Sequence, residues 1–319
     1  MHKRRGKTLS LVLGSGGARG LAHIGIIEWL SAHGYQIESI SGASMGALVG
    51  GIHAAGELDA YKDWVCALRR SDVLRFLDFA FSGEGLLKGD RIMDTLRAMV
   101  GERAIEDLPI TFTAVATDVA RQREIWLARG PLFDAIRASI AVPGVFTPHD
   151  YQGMTLVDGG LLNPVPIAPT FRDLTDLTVA VNLNAETART QVAAASEPAG
   201  PEENDNDQGL HARIRQFLEA IGGEFGDVGA QRLGVFELTT RAFETMQNAI
   251  AAMKLAAYRP DVLIDVPRDT CASHEFYRAA ELIELGHRLA EAAMERATTD
   301  GGPLPEGRQR PAGGLREPG

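Results

Sequence analysis

Three glycine-rich clusters hold the residue types able to do chemistry in this chain. The first is Gly42-Ala43-Ser44-Met45-Gly46, a G-x-S-x-G pattern between an apolar run and a small-residue helical pattern. A serine on a sharp strand-to-helix turn is held in a strained backbone conformation. Side chains two residues before and after it would collide, so Gly42 and Gly46 are the residues such a turn demands. The turn lifts the Ser44 hydroxyl into the open, at a helix N-terminus that favours developing negative charge.

The second cluster, Gly14-Ser15-Gly16-Gly17-Ala18-Arg19-Gly20, follows an apolar run and opens a helical pattern. Glycines let backbone N–H groups approach an anion closely. One use is an oxyanion hole for acyl transfer, with donors from Gly16, Gly17, Ala18 and Arg19. The other is a dinucleotide pyrophosphate site in a nucleotide-binding oxidoreductase. For that use Gly14 and Gly16 fit, Gly20 falls one residue late, and Glu38 stands where the ribose-binding acid is expected. Ser44 weighs against it, because a cofactor site has no need of an exposed serine between glycines. Arg19 suits either anion, and a cation on a first helical turn points to a specific use.

The third cluster is Asp158-Gly159-Gly160. A serine hydroxyl needs a base. The order serine, acid, histidine would nominate His274, but that residue starts an amphipathic helical pattern, and His149 lies in a loop beside Asp150. Asp158 ends a short strand, and two glycines allow a turn that brings its carboxylate against another segment. It can act as base directly if burial raises its pKa. Asp-Gly is equally a β-turn signal.

The elements that must position these clusters alternate in type. Thr8-Leu13, Ile37-Ser41, Ile110-Asp118, Glu124-Ala128, Thr155-Val157, Thr178-Leu183 and Val262-Val266 read as strands. Leu21-His33, Met45-Ala55, Ala60-Arg69, Gly89-Val100, Pro131-Ile140, Thr239-Ala257 and His274-Ala297 read as helices. The expected fold is one α/β domain over residues 8–297, in three layers, with a mostly parallel central sheet and helices on both faces. Residues 1–7 form a basic, frayed start; 185–209 read as a disordered insertion; 298–319 read as a flexible tail. The segment 72–88, with Phe76, Phe79 and Phe81 near Gly83 and Gly85, is a candidate flap over an acyl-chain groove or a packed loop.

Composition narrows the classes. A formal net charge of −10 argues against nucleic-acid binding, which needs a basic face. Lys3, Arg4, Arg5 and Lys7 could touch anionic lipid transiently, yet four charges make a weak anchor. Two cysteines, Cys66 and Cys271, make no disulfide framework, and both are expected buried and reduced, consistent with a cytoplasmic protein. The apolar run before Gly14 is too short for a secretory signal. Residues 39–56 have the length of a membrane span, but their Gly, Ser and Ala fit a strand-turn-helix better.

Taken together, the three motifs resemble the patatin-like phospholipases, and Ala138-Ser139-Ile140-Ala141-Val142-Pro143-Gly144-Val145-Phe146 looks like a fourth family segment. The resemblance covers residues 9–163 firmly. It implies a Ser44–Asp158 dyad without histidine, hydrolysis of a lipid or lysophospholipid ester, and no metal or other cofactor. Ser15 replaces the first of the three consecutive glycines common in the family, which leaves Gly16 and Gly17 as donors. A non-catalytic regulatory protein on the same fold stays open until activity is assayed. Oligomeric state is not set by the sequence.

Overall fold

A computed structural model describes residues 7–72, 89–186 and 226–300 of the chain. The parts of the expected start, flap, insertion and tail at 1–6, 73–88, 187–209 and 301–319 lie outside the described residues.

The strands are β1 (Thr8–Leu13), β2 (Gln36–Ala43), β3 (Thr111–Asp118), β4 (Arg123–Leu127), β5 (His149–Tyr151), β6 (Met154–Asp158), β7 (Leu177–Ala185) and β8 (Val262–Pro267). The helices are α1 (Ala22–Ala32), α2 (Met45–Ala54), α3 (Leu58–Ala67), α4 (Asp90–Val100), α5 (Leu132–Ser139), α6 (Gly226–Ala257) and α7 (Ala279–Asp300). The chain divides into two units, Met1–Ala185 with Gln247–Gly319, and Glu186–Met246.

All the strands join one mixed sheet in the larger unit, with helices on both sides. Its centre, β3-β2-β1-β7-β8, is parallel throughout. β1 carries apolar residues on both parities, and Leu9, Leu11, Val12 and Leu13 are all fully buried, as a strand covered on two faces requires. α1 and α7 pack backbone against backbone: a methyl on Gly25 would strike the Ile283 carbonyl, and one on Gly286 the Ala22 carbonyl. The stretch 39–56 is the end of β2 followed by α2, and among the described residues no helix is long and apolar enough to cross a membrane.

The sheet changes character beyond β3. β4 and β6 both pair with β3 antiparallel, and β5 pairs antiparallel with β6. The sequence gives no strand at β5. Its hairpin turns on Gln152 and Gly153, both at positive φ (50° and 72°), a two-residue turn that glutamine disguises.

Other boundaries differ for local reasons. α7 begins at Ala279, not His274, because the Glu275 carboxylate accepts the Ala272 N–H (2.9 Å) and holds the segment in a turn. It runs to Asp300, past the expected start of the tail at 298. α6 extends back to Gly226, through glycines that mask its helical pattern. Cys271 is buried as expected, but Cys66 is exposed, on the outer face of α3.

Candidate active site

Parallel pairing places the first two motifs side by side. Leu13 at the end of β1 is in register with Gly42 near the end of β2, so the glycine loop and Ser44 leave the same edge of the sheet. Crevices at the carboxyl ends of parallel strands are where open α/β sheets bind ligands.

Ser44 sits between β2 and α2 with φ 55° and ψ −123°, a conformation that L-residues avoid and that costs about 1–3 kcal/mol. The flanking glycines make the bend possible. A methyl on Gly42 would strike the Gly46 carbonyl, and one on Gly46 would strike the Leu13 carbonyl. Ser44 is 5% exposed. Its N–H donates to Ser139 Oγ (2.9 Å), whose own hydroxyl donates to the Val115 carbonyl (2.6 Å).

Asp158 arrives from the opposite direction. β2 pairs with β3 as far as Ala43↔Val115, and β6 takes over at Asp158↔Ala116. β4 pairs with β3 across Ala114–Asp118, overlapping both, so β2 and β6 share the other edge of β3. One is parallel to β3 and the other antiparallel, so they run head to head and their C-terminal ends meet.

The Asp158 side chain is fully buried. Its Oδ1 accepts the Gly160 N–H at 2.6 Å. Its Oδ2 has no formed hydrogen bond among the described residues. Burial pushes the carboxyl up to about 7, against opposing pulls from the Ser44 hydroxyl and the Gly160 N–H, which favour the charged form. The serine is therefore close enough to act on the carboxyl, although the contact is looser than a formed bond. The backbone is fixed at both ends: Asp158 N–H donates to the Ala141 carbonyl (2.9 Å), and Thr117 Oγ1 donates to the Asp158 carbonyl (3.1 Å). Gly159 lies so close to β3 that a methyl there would strike the Val115 carbonyl.

The glycine loop is held from several sides. Gly14 N–H donates to the Val181 carbonyl (3.1 Å) and Ser15 N–H to the Pro164 carbonyl (2.8 Å). Gly17 has φ 57°, and a side chain there would meet the Ser273 carbonyl at 2.7 Å. Among the described residues no acceptor engages the N–H groups of Gly16, Gly17 or Met45. The expected donor Ala18 is corrected, because its N–H already donates to the Ser273 carbonyl (2.9 Å).

Arg19 is corrected as an anion partner in its side chain. The guanidinium is buried and donates to the carbonyls of Leu183, Arg268 and Cys271 and to Asn184 Oδ1, at 2.9–3.2 Å. Asn184 Nδ2 in turn donates to the Ser15 carbonyl (2.9 Å), so Arg19 ties the loop to the end of β7.

Sequence reasoning passed over two positioning side chains. Ser139 stood inside a motif, with nothing in the sequence to say what its hydroxyl meets. His23 is fully buried, with Nε2 2.9 Å from the Gly14 carbonyl. Burial lowers its pKa to about 4, against the pull of that carbonyl, so it is neutral at pH 7. A carbonyl only accepts, so Nε2 carries the proton and His23 braces the start of the loop.

The other histidines stand apart. His274 is exposed, and His149, expected in a loop, opens β5 with its Nε2 3.4 Å from Asp134 Oδ1. Among the described residues no histidine is hydrogen-bonded to Ser44 or Asp158. Glu38, the acid that a dinucleotide site would use, is exposed near the N-terminal end of β2. Four residues of strand, about 13 Å, separate it from Gly42 beside the glycine loop.

Comparison with known proteins places the chain in a family. The family model for patatin-like phospholipase matches residues 11–171, which span all four motifs. An uncharacterized NTE family protein of Mycobacterium tuberculosis is 41% identical over 90% of this chain and 91% of its own length. The lysophospholipase nte1 of Emericella nidulans is 31% identical, over 51% of this chain and 11% of that protein. The solved structure of VipD from Legionella pneumophila aligns with a TM-score of 0.40 at 16% identity, covering 91% of this chain and 67% of that one. With a family match over half its length and a full-length relative above 40% identity, the chain belongs to the patatin-like phospholipase family.

Proposed function

We propose that this chain is a serine acyl hydrolase that cleaves carboxylic esters of lipids through a Ser44–Asp158 dyad and an acyl-enzyme intermediate. The observation that carries the reading is Asp158: a buried carboxyl at the meeting point of β2 and β6, with one oxygen engaged, the other open, and a pKa near 7. A base poised near the working pH is half charged there and can both take and return a proton.

Asp158 takes the Ser44 proton as Oγ attacks the ester carbonyl. The N–H groups of Gly16, Gly17 and Met45 receive the oxyanion, each such donor contributing roughly 3–4 kcal/mol. Collapse expels the alcohol, protonated by Asp158. The same carboxylate then draws a proton from water as that water attacks the acyl-enzyme, and returns it to Ser44 Oγ as the acyl–serine bond breaks and the fatty acid leaves. The loose Ser44–Asp158 contact is that of a resting site, since catalytic hydrogen bonds tighten in the substrate complex.

The lipid class follows from the family and from the relative named as a lysophospholipase, so a lysophospholipid or phospholipid ester is the proposed substrate, reached by transient contact with a lipid surface. Hydrolysis of p-nitrophenyl esters of rising chain length, beside lysophosphatidylcholine, tests this. Activity that grows with chain length and vanishes in Ser44→Ala supports it; full activity in Ser44→Ala rejects it.

A further inference from the structure

The two partners of the proposed dyad come from strands that do not pair with each other. β2 and β6 each pair with β3 and meet end to end at Val115 and Ala116. Something must fix the spacing across that junction, and the C-terminal turn of α5 does so. Ser139, its last residue, accepts the Ser44 N–H and donates to the Val115 carbonyl. Two residues on, the Ala141 carbonyl accepts the Asp158 N–H. One turn thus grips the backbone of both partners and the strand between them.

Each bond has a physical reason. Ser44 follows Ala43, the last residue of β2 paired with β3, so its N–H has no strand partner. Buried as it is, that N–H needs an acceptor. A serine hydroxyl both accepts and donates, so Ser139 alone can satisfy the Ser44 N–H and anchor itself on Val115. Ser139 is fully buried, and among the described residues its hydroxyl bonds only the Ser44 N–H and the Val115 carbonyl, so its role runs through the backbone.

We propose that Ser139 is a positioning residue that holds the strained Ser44 backbone in register with Asp158. The proposal rests on the dyad reading given above. Ser139→Ala removes the acceptor without adding bulk, and the account expects a folded protein whose kcat falls roughly 10- to 100-fold, as expected for displacement of a nucleophile by a fraction of an ångström. KM for a p-nitrophenyl ester stays near the parent value, fluorophosphonate labelling slows in parallel with kcat, and the pH shoulder set by Asp158 stays in place. Ser139→Cys, similar in size with a weak acceptor, falls between the two, and it carries the test if the alanine variant does not fold.

Parent-level kcat in both variants overturns the proposal. So does a loss of kcat matched by an equal loss of folded protein, or a moved pH shoulder, which would make Ser139 a tuner of Asp158. Ser44→Ala and Asp158→Asn are assayed alongside: if either keeps full activity, the dyad reading fails, whatever Ser139 does.

Discussion

Ala43 and Asp158 pair with consecutive residues of one strand, Val115 and Ala116, and approach them from opposite directions. The residue after Ala43 is the bent Ser44, so a serine and a carboxyl that lie more than a hundred residues apart in sequence are brought together by strand pairing. The antiparallel addition to an otherwise parallel sheet has that consequence: a parallel β6 could not have ended where β2 ends.

The pH dependence follows from the burial of Asp158. The proposed base acts as carboxylate, and its pKa stands at about 7. kcat/KM should therefore rise with pH through a shoulder near 7 and level off above it, with a slope of about one below the shoulder. A profile flat from pH 5 to 9 would mean that no group of this kind is in use.

The same burial should make Asp158 a liability to stability. Its folded pKa is raised from 3.8, so between about pH 4 and 7 the folded protein keeps a proton that the unfolded chain has released. Stability falls as pH rises through that window, by at most about 4 kcal/mol for this one group. Asp158→Asn is neutral at every pH and keeps an oxygen for the Gly160 N–H. It should melt several degrees above the parent at pH 8, and at the same temperature as the parent near pH 4. Thermal denaturation at the two pH values checks the sign.

Arg19 should prove irreplaceable by lysine. Its planar fork reaches three carbonyls on two segments and Asn184 at once, which one ammonium cannot do. Arg19→Lys should destabilise by about 2–4 kcal/mol through carbonyls left unpaired. It should also lower activity, since the donors of Gly16 and Gly17 belong to the loop that Arg19 ties down. Denaturant titration and ester hydrolysis measure the two effects.

Gly46→Ala is expected to be severe for a different reason. The added methyl would overlap the Leu13 carbonyl, which is buried backbone and cannot move aside. A loss of more than about 2 kcal/mol follows, with inactivation even of the protein that folds. A stable, active Gly46→Ala would show that the bend at Ser44 is less tight than described.

The sequence made the parallel core and the three glycine motifs legible because both leave local marks. A strand buried on two faces reads as a continuous apolar run, and a bend that excludes Cβ atoms reads as glycine at Gly42 and Gly46. What stayed hidden depends on distant partners. The use of the Ala18 N–H is set by Ser273, and the direction of the Arg19 guanidinium by carbonyls of β7 and of residues 268–271. Ser139 lay in a recognised segment, yet its function appears only once β2, β3 and β6 are assembled. β5 was missed because its three residues turn on a glutamine at positive φ, and Cys66 was misplaced because a cysteine type alone does not say which face of α3 it occupies.

The central claim is that Ser44 is a nucleophile activated by Asp158. Reaction with a fluorophosphonate probe, followed by mass mapping of the modified residue, measures it directly. The account predicts a single stoichiometric label on Ser44, absent in Ser44→Ala and slowed at least about 1000-fold in Asp158→Asn. A label on another residue, or parent-rate labelling of Ser44 in Asp158→Asn, would contradict it.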